Sequence, residues 1–287
     1  MLRATFKVFP RWGLALLLGP VAAVAQSNAP APVAMPPAAT STNDADRFFE
    51  QFAVAAKLVQ DNRADHAALV MDVLAKNLNG SPWLDIALLK AAALQENRAP
   101  ATALENYALL KRRLDVAPYF QGNAERAQVF RVALQGAIDR GINRIRLQRI
   151  RDALAEYHAR YRQYPESLTK LAVLGYVEMP DVRNASGRLY RYIPTGMQFS
   201  PGIAYQQYEL ETIPAEPFAA NAPRLIGTTQ VREEPRQYAA LFQDAGRAEP
   251  ARVAENQIFQ GFFVAAVAEH GAILVTPERV LVLPVRP

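Results

Sequence analysis

Three histidines, scattered carboxylates and no cysteine make up the reactive inventory of this 287-residue chain. The missing thiols exclude disulfide frameworks, thiolate metal sites, cysteine nucleophiles, iron–sulfur ligation and lipid attachment at an N-terminal cysteine. None of His66, His158 and His270 is spaced two or four residues from another histidine, as a pair sharing one metal on a single helix or strand would be. His158 reads as a surface residue, and His270, directly before Gly271, as a turn residue. Glu233 and Glu234 are an acidic pair, but adjacent acids in a charged loop beside proline stay solvated, and nothing apolar nearby raises a pKa. No nucleophile elbow, phosphate-cradling glycine loop or dinucleotide fingerprint occurs. The expectation is a chain with no catalytic residues, metal ligands or cofactor, whose work is done by surfaces.

Charge narrows the partners. The formal net charge is +5, and the three basic residues of the first 25 (Arg3, Lys7 and Arg11) leave only +2 without them. That balance does not predict a nucleic-acid partner. The same three residues precede an apolar run from Trp12 to Val24 and a small-residue exit, Ala23-Val24-Ala25, which is the layout of a secretory signal peptide at 1–25. The run falls short of the roughly 20 residues of a spanning helix, so a membrane is involved only if this segment stays uncleaved as an anchor. The chain is expected to be periplasmic or otherwise exported. Residues 26–44 are rich in Pro, Ala, Ser and Thr and read as an extended linker.

The elements that follow are helical first and β-rich last. Residues 45–141 are rich in Ala and Leu, with prolines only at Pro82, Pro100 and Pro118, and the pattern predicts helices near 45–60, 63–78, 82–96, 100–114 and 123–139. An internal repeat at an offset of 35 pairs Asn62 with Asn97, Arg63 with Arg98, Ala68 with Ala103, Leu69 with Leu104 and Lys76 with Lys111. A helix-pair unit of this length resembles the tetratricopeptide repeat. In its register Ala56 and Ala91, then Ala68 and Ala103, take the small positions and Tyr107 the aromatic one, where the first unit carries Asp72. The resemblance implies either a protein-binding surface or a helical spacer.

From Ile142 to Tyr161, Leu147, Ile150, Leu154, Tyr157 and Tyr161 form one helical stripe, flanked by Arg140, Arg144, Arg151 and Arg162 as a solvated basic edge. Then come Tyr164-Pro165, Glu166-Ser167-Leu168, Leu174-Gly175-Tyr176, Pro180-Asp181, Gly187 and Leu189-Tyr190-Arg191-Tyr192. This string resembles the soluble domain of type IV pilins and of the major pseudopilin of type II secretion. It implies a helix, a short second helix, and a hairpin of Leu189–Tyr192 with Ile203–Ile213 laid over the first helix. The processed N-terminal junction and long polymerising helix of a pilin are absent upstream of Ile142, so the resemblance implies pilin-like architecture without pilin assembly. The family's loop often binds calcium; here Asp181 and Asn184 are too few oxygen ligands for such a site.

After Pro214, Pro217 and Pro223, short β-branched and aromatic runs predict strands near 224–231, 238–244, 251–254, 262–269, 272–276 and 279–284, a small barrel or sandwich. Leu225 and Gly227, Ala240-Leu241-Phe242, Ile258, Gly261, Phe263 and Val264, and the closing run Val280 to Leu283 resemble the homology-region domain of the type II secretion clamp protein. They also resemble the β-domain of the type IV pilus inner-membrane lipoprotein. The family's first signature glycine is replaced here by Glu255 or Asn256. Seven arginines balance seven acids over 224–287, so contact rests on shape and strand edges. The resemblance implies secretin periplasmic domains or pilin-like proteins as partners, with Leu225, Ile226, Thr228 and Val231 of the first strand as contact residues.

The expected fold is multidomain α+β: a helical-repeat domain at 45–141, a pilin-like helix-plus-hairpin domain at 142–213, a linker at 214–223 and a small all-β domain at 224–287. The expected function is that of a non-catalytic exported adaptor of a type II secretion or type IV pilus-like envelope machine. The alternative is a helical-repeat surface or periplasmic binding protein unrelated to secretion.

Overall fold

The computed structural model describes residues 42–80, 82–200, 203–220, 222–243 and 249–285; the leader and most of the 26–44 linker lie outside them. Helices fill the N-terminal part and antiparallel sheets the C-terminal part. Four helices come first: α1 (Thr42–Gln60), α2 (Ala64–Asn77), α3 (Trp83–Gln95) and α4 (Pro100–Val116). Pro100 opens α4 at the position where a missing N–H costs nothing. On α3 every residue from Ile86 to Ala92 is buried, as expected of a helix covered on all sides. Of the small and aromatic positions aligned by the repeat, Ala91, Ala103 and Tyr107 are fully buried and Ala68 nearly so, whereas Ala56 is half-buried.

The helices expected at 123–139 and 142–161 are one continuous 38-residue helix, α5 (Ala124–Tyr161). Asn123 starts it, its side-chain oxygen accepting from the Arg126 N–H at 2.9 Å, and Arg162 ends it in the left-handed region. Gly141, the last residue of the expected helical domain, is a contact surface within α5. A Cβ there would lie 2.7 Å from Cε2 of Tyr107 and closer still to the phenol end of that ring. The glycine lets α4 lay its tyrosine against the α5 backbone without interrupting the helix. The first half of α5 packs into the helical core through Phe130, Leu134 and Ile138. The second half, through Leu147, Ile150, Leu154 and Tyr157, forms a separate core with Leu168, Leu171, Val182 and Tyr190.

That second core is closed by α6 (Leu168–Val173), a 3-10 turn at Met179–Val182 and the hairpin of β1 (Tyr192–Ser200) and β2 (Ile203–Leu210). The first strand therefore begins where it was expected to end. Leu189 makes only an isolated bridge to Arg183, and Tyr190 turns inward, its hydroxyl donating to Asn143 Oδ1 at 2.9 Å. Nor is the arginine stripe a solvated edge throughout. Arg144 forks onto Glu96 at 2.6 and 2.7 Å, and Arg140 reaches Glu278 at 3.0 Å and Glu216 at 3.4 Å.

Six of the seven described C-terminal strands lie within two residues of their expected bounds wherever both ends are described, and the two-residue strand Ile258–Phe259 was not expected. The seven are β3 (Leu225–Arg232), β4 (Gln237–Phe242), β5 (Ala251–Val253), β6 (Ile258–Phe259), β7 (Phe262–Ala268), β8 (Gly271–Thr276) and β9 (Arg279–Pro284). They form two sheets, ordered β3-β4-β5 and β6-β7-β8-β9. Leu225, Ala240, Phe242 and Val253 of the first sheet meet Val264, Val267, Ala272, Leu274, Leu281 and Leu283 of the second, which makes a sandwich. The intervening residues Ala266, Ile273, Val275, Val280 and Val282 face the helices and belong to the helical core. A sheet buried on both faces needs apolar residues at every position, and β7 to β9 are accordingly apolar without alternation. A bulge between Val264 and Ala266 shifts the phase, so that Ala265 and Ala266 both lie on the helical side.

Three close approaches seat this sheet. Gly271 lacks the Cβ that would strike the Phe49 ring of α1 and lie 2.7 Å from the Leu283 carbonyl oxygen. Gly136 of α5 lies under the β8–β9 turn at Pro277-Glu278. Arg126 of α5 donates to the bulge carbonyl of Ala265, pairs with Glu255 at 2.9 Å, and lies over the Phe120 ring at 3.8 Å. Glu255 also accepts from the Val267 N–H, while Asn256 takes a left-handed backbone in the turn. Residues read as a linker also pack, with Phe218 stacked on Phe52 at 4.7 Å and the Ala220 N–H bonded to the Val282 carbonyl.

Candidate functional site

The residues singled out on the first C-terminal strand lie at an open edge. Among the described residues β3 pairs only with β4, so its other side offers unpaired backbone groups to a partner. The four side chains divide. Leu225 is buried in the sandwich core and is not part of the surface. Ile226 and Val231 are 44% and 51% exposed, and each is the unpaired residue of a bulge, the register shifting between Leu225 and Gly227 and again between Gln230 and Arg232. Bulges at both ends twist an edge and limit free-running pairing, so they confine the regular part to Gly227–Gln230. Thr228 anchors the strand, its hydroxyl donating to the Glu269 carbonyl oxygen in the β7–β8 turn. The Tyr238 hydroxyl donates to the Glu269 carboxylate at 3.2 Å, tying β4 to the same turn.

That turn meets α1. Asp46, Glu269 and His270 place one ligand atom each within 4.8 Å of one another. Burial pushes the Asp46 carboxyl above its ordinary range; the nearby charges of Glu269 and Glu50 push the same way, against His270 and Arg236. Local sequence could not find this group, because Asp46 sits at the start of the first helix and His270 between the seventh and eighth strands.

The remaining candidates are occupied internally. Asp181 accepts from Arg149 at 3.2 and 3.3 Å and has Arg146 at 3.9 Å, so its carboxylate is neutralised by guanidinium groups. The Asn184 side-chain oxygen accepts from the Ser186 and Arg188 N–H groups and from the Ser186 hydroxyl. Glu233 and Glu234 are exposed in the β3–β4 turn. His158 stacks on Tyr164 at 4.6 Å.

A second surface lies on the helices. A cleft of about 520 Å³ between α1 and α2 is lined by Arg47, Gln51, Leu69, Val70, Val73 and Asn77, with Leu69 and Val73 62% and 56% exposed.

Deeper in, Lys90 of α3 is 5% exposed, near Glu216 and 5.9 Å from the centre of the Phe218 ring. Burial lowers its ammonium to about 8, with Glu216 opposing and Arg144 adding to the shift. The Tyr107 hydroxyl, donating to Glu96 at 2.6 Å, is held well above its ordinary range by burial and by that carboxylate. These groups are buried at packing seams.

No family profile, curated protein or solved structure matches this chain. Among the described residues no helix is long and apolar enough to cross a membrane.

Proposed function

We propose that this chain is a non-catalytic exported adaptor of a type II secretion or type IV pilus-like envelope machine, acting through protein–protein contact. The observation that carries the reading is the open β3 edge: a short regular stretch between two bulges, with Ile226 and Val231 exposed, on a sandwich held by α1 and α5. Such an edge receives an extended partner strand through main-chain hydrogen bonds, while the flanking apolar side chains select it. The balanced charge of the surrounding segment agrees with recognition by shape. The occupant proposed is a strand of a secretin periplasmic domain, from the resemblance of 224–287 to the clamp-protein domain; export rests on the leader-like residues 1–25.

The test is calorimetric titration of the full chain with the secretin periplasmic N-terminal domains of the same cell. The whole chain is the reagent because an isolated 224–287 segment would bare the helix-facing side of β7 to β9. Saturable binding that weakens by more than about tenfold in the Ile226→Glu, Val231→Glu double variant supports the reading, since one interface anchor is worth about 1–2 kcal/mol. Absence of binding, or binding indifferent to that variant, refutes it.

A second reading has its own observation, the α1–α2 cleft with Leu69 and Val73 exposed. In that case the helices bind a partner unrelated to secretion. Loss of partner binding on Leu69→Asp but not on the β3 variant distinguishes the two.

A further inference from the structure

We propose that Asp46, Glu269 and His270 form a binding site for a first-row divalent cation of the zinc type, linking α1 to the β7–β8 turn. The donor set is two carboxylates and an imidazole, each able to place one atom within 4.8 Å of the others. Borderline cations take nitrogen and oxygen ligands in this number, leaving a position for water. Calcium calls for six or more oxygens, and magnesium for an all-oxygen shell completed by water, whereas this set includes an imidazole nitrogen.

Two further observations favour a cation here. The first is preorganisation. Phe49 lies one turn after Asp46 on α1 and packs against Gly271, the residue after His270, at a distance only glycine permits. That contact brings the aspartate to the turn with no metal needed to assemble the site. Glu269 is held as well, by Thr228 through its carbonyl and by Tyr238 through its carboxylate. The second is charge. The acids Asp46, Glu50 and Glu269 are near one another, with the charge of Arg236 opposing them at Asp46. Among the described residues no hydrogen bond or ion pair engages the Asp46 carboxylate or the His270 ring, so both are available to a cation.

The bound ion would fix the turn that carries Thr228 and Tyr238, and so stiffen β3 and β4 beside the open edge. The site does not depend on the adaptor reading, and its test needs no partner.

The experiment is titration of the tag-free, chelator-stripped full chain with Zn²⁺ by calorimetry at neutral pH, repeated with Co²⁺ to read the ligand field by visible absorption. One equivalent is expected to bind and to raise the melting temperature. Asp46→Asn and His270→Ala should each weaken binding by more than about tenfold, the scale on which metal sites respond even to loss of supporting contacts. His66→Ala and His158→Ala should leave it unchanged, and Ca²⁺ should not compete. No saturable uptake, uptake that survives His270→Ala, or uptake that follows His66 or His158 overturns the proposal. If Asp46→Asn alters the circular dichroism of the fold, Glu269→Gln takes its place and the same outcomes decide.

Discussion

Adding one methyl group to Gly136 tests the packing of the sandwich on α5. In an exposed helix interior, Gly→Ala stabilises by about 1 kcal/mol, because alanine loses less backbone entropy on folding. Position 136 is helical, so propensity alone predicts a gain. The new Cβ, however, would sit 2.9 Å from Cα of Glu278 and 3.2 Å from the carbonyl carbon of Pro277, with the Pro277 carbonyl oxygen closer still. Those atoms are backbone in a tight turn and have no rotamer by which to leave. The β8–β9 turn must lift, pulling Arg279 and Glu278 away from Glu216 and Arg140, to which they are joined at 3.3 and 3.0 Å. Overpacking of this kind costs about 1–3 kcal/mol. Set against the propensity gain, Gly136→Ala should lose about 1 kcal/mol and lower the melting temperature by roughly 2–4 °C. Urea denaturation and calorimetry measure it. Val132→Ala, an exposed substitution on the same helix, supplies the calibration for propensity without a clash. A Gly136→Ala variant stabilised by about 1 kcal/mol would refute the seating of the turn on the helix.

Lys90 supplies a pH-dependent prediction. Its ammonium is lowered from 10.5 to about 8, so between those values the unfolded chain holds a proton that the folded chain has released, and stability rises with pH across that window. Below pH 8 the buried charge costs about 3 kcal/mol. Lys90→Met should therefore exceed the parent in stability at pH 7, with the difference shrinking by pH 10; a difference independent of pH would show that Lys90 does not titrate in this way. The 224–287 segment expressed alone should not fold as a monomer. Ile273, Val275, Val280 and Val282 would lose their helical cover, at about 1.5–3 kcal/mol each, roughly the whole stability of a small domain. Gel filtration and amide dispersion by NMR check this, and a well-dispersed monomer would contradict the two-faced burial.

Much of this architecture was legible because it is local. Helix starts at Pro100 and after Asn123, and the strands of the C-terminal part, follow from periodicity and turn residues. What escaped depends on contacts between distant residues. Gly141 carries the same local signal whether it ends a helix or receives a tyrosine from another one, and only the position of Tyr107 decides. The arginines at 140 and 144 have the periodicity of a solvated flank, yet Glu96, Glu216 and Glu278, from three other parts of the chain, draw them inward.

One long-range fact was written in the sequence without being read. Strands β7, β8 and β9 are apolar at nearly every position, whereas a sandwich with one face in water alternates. Continuous apolar strands require a second cover, and among the described residues the helices supply it. The same requirement explains Gly271, Gly136 and the Arg126–Glu255 pair, each of which lets the sheet approach a helix or holds it there. It also explains how Asp46 comes to stand beside His270: covering the sheet's second face brings the first helix against the β7–β8 turn, and the candidate cation site is a product of that packing. The open β3 edge lies on the other sheet, tied by Thr228 to the turn that meets α1, and a partner strand can add to its unpaired side.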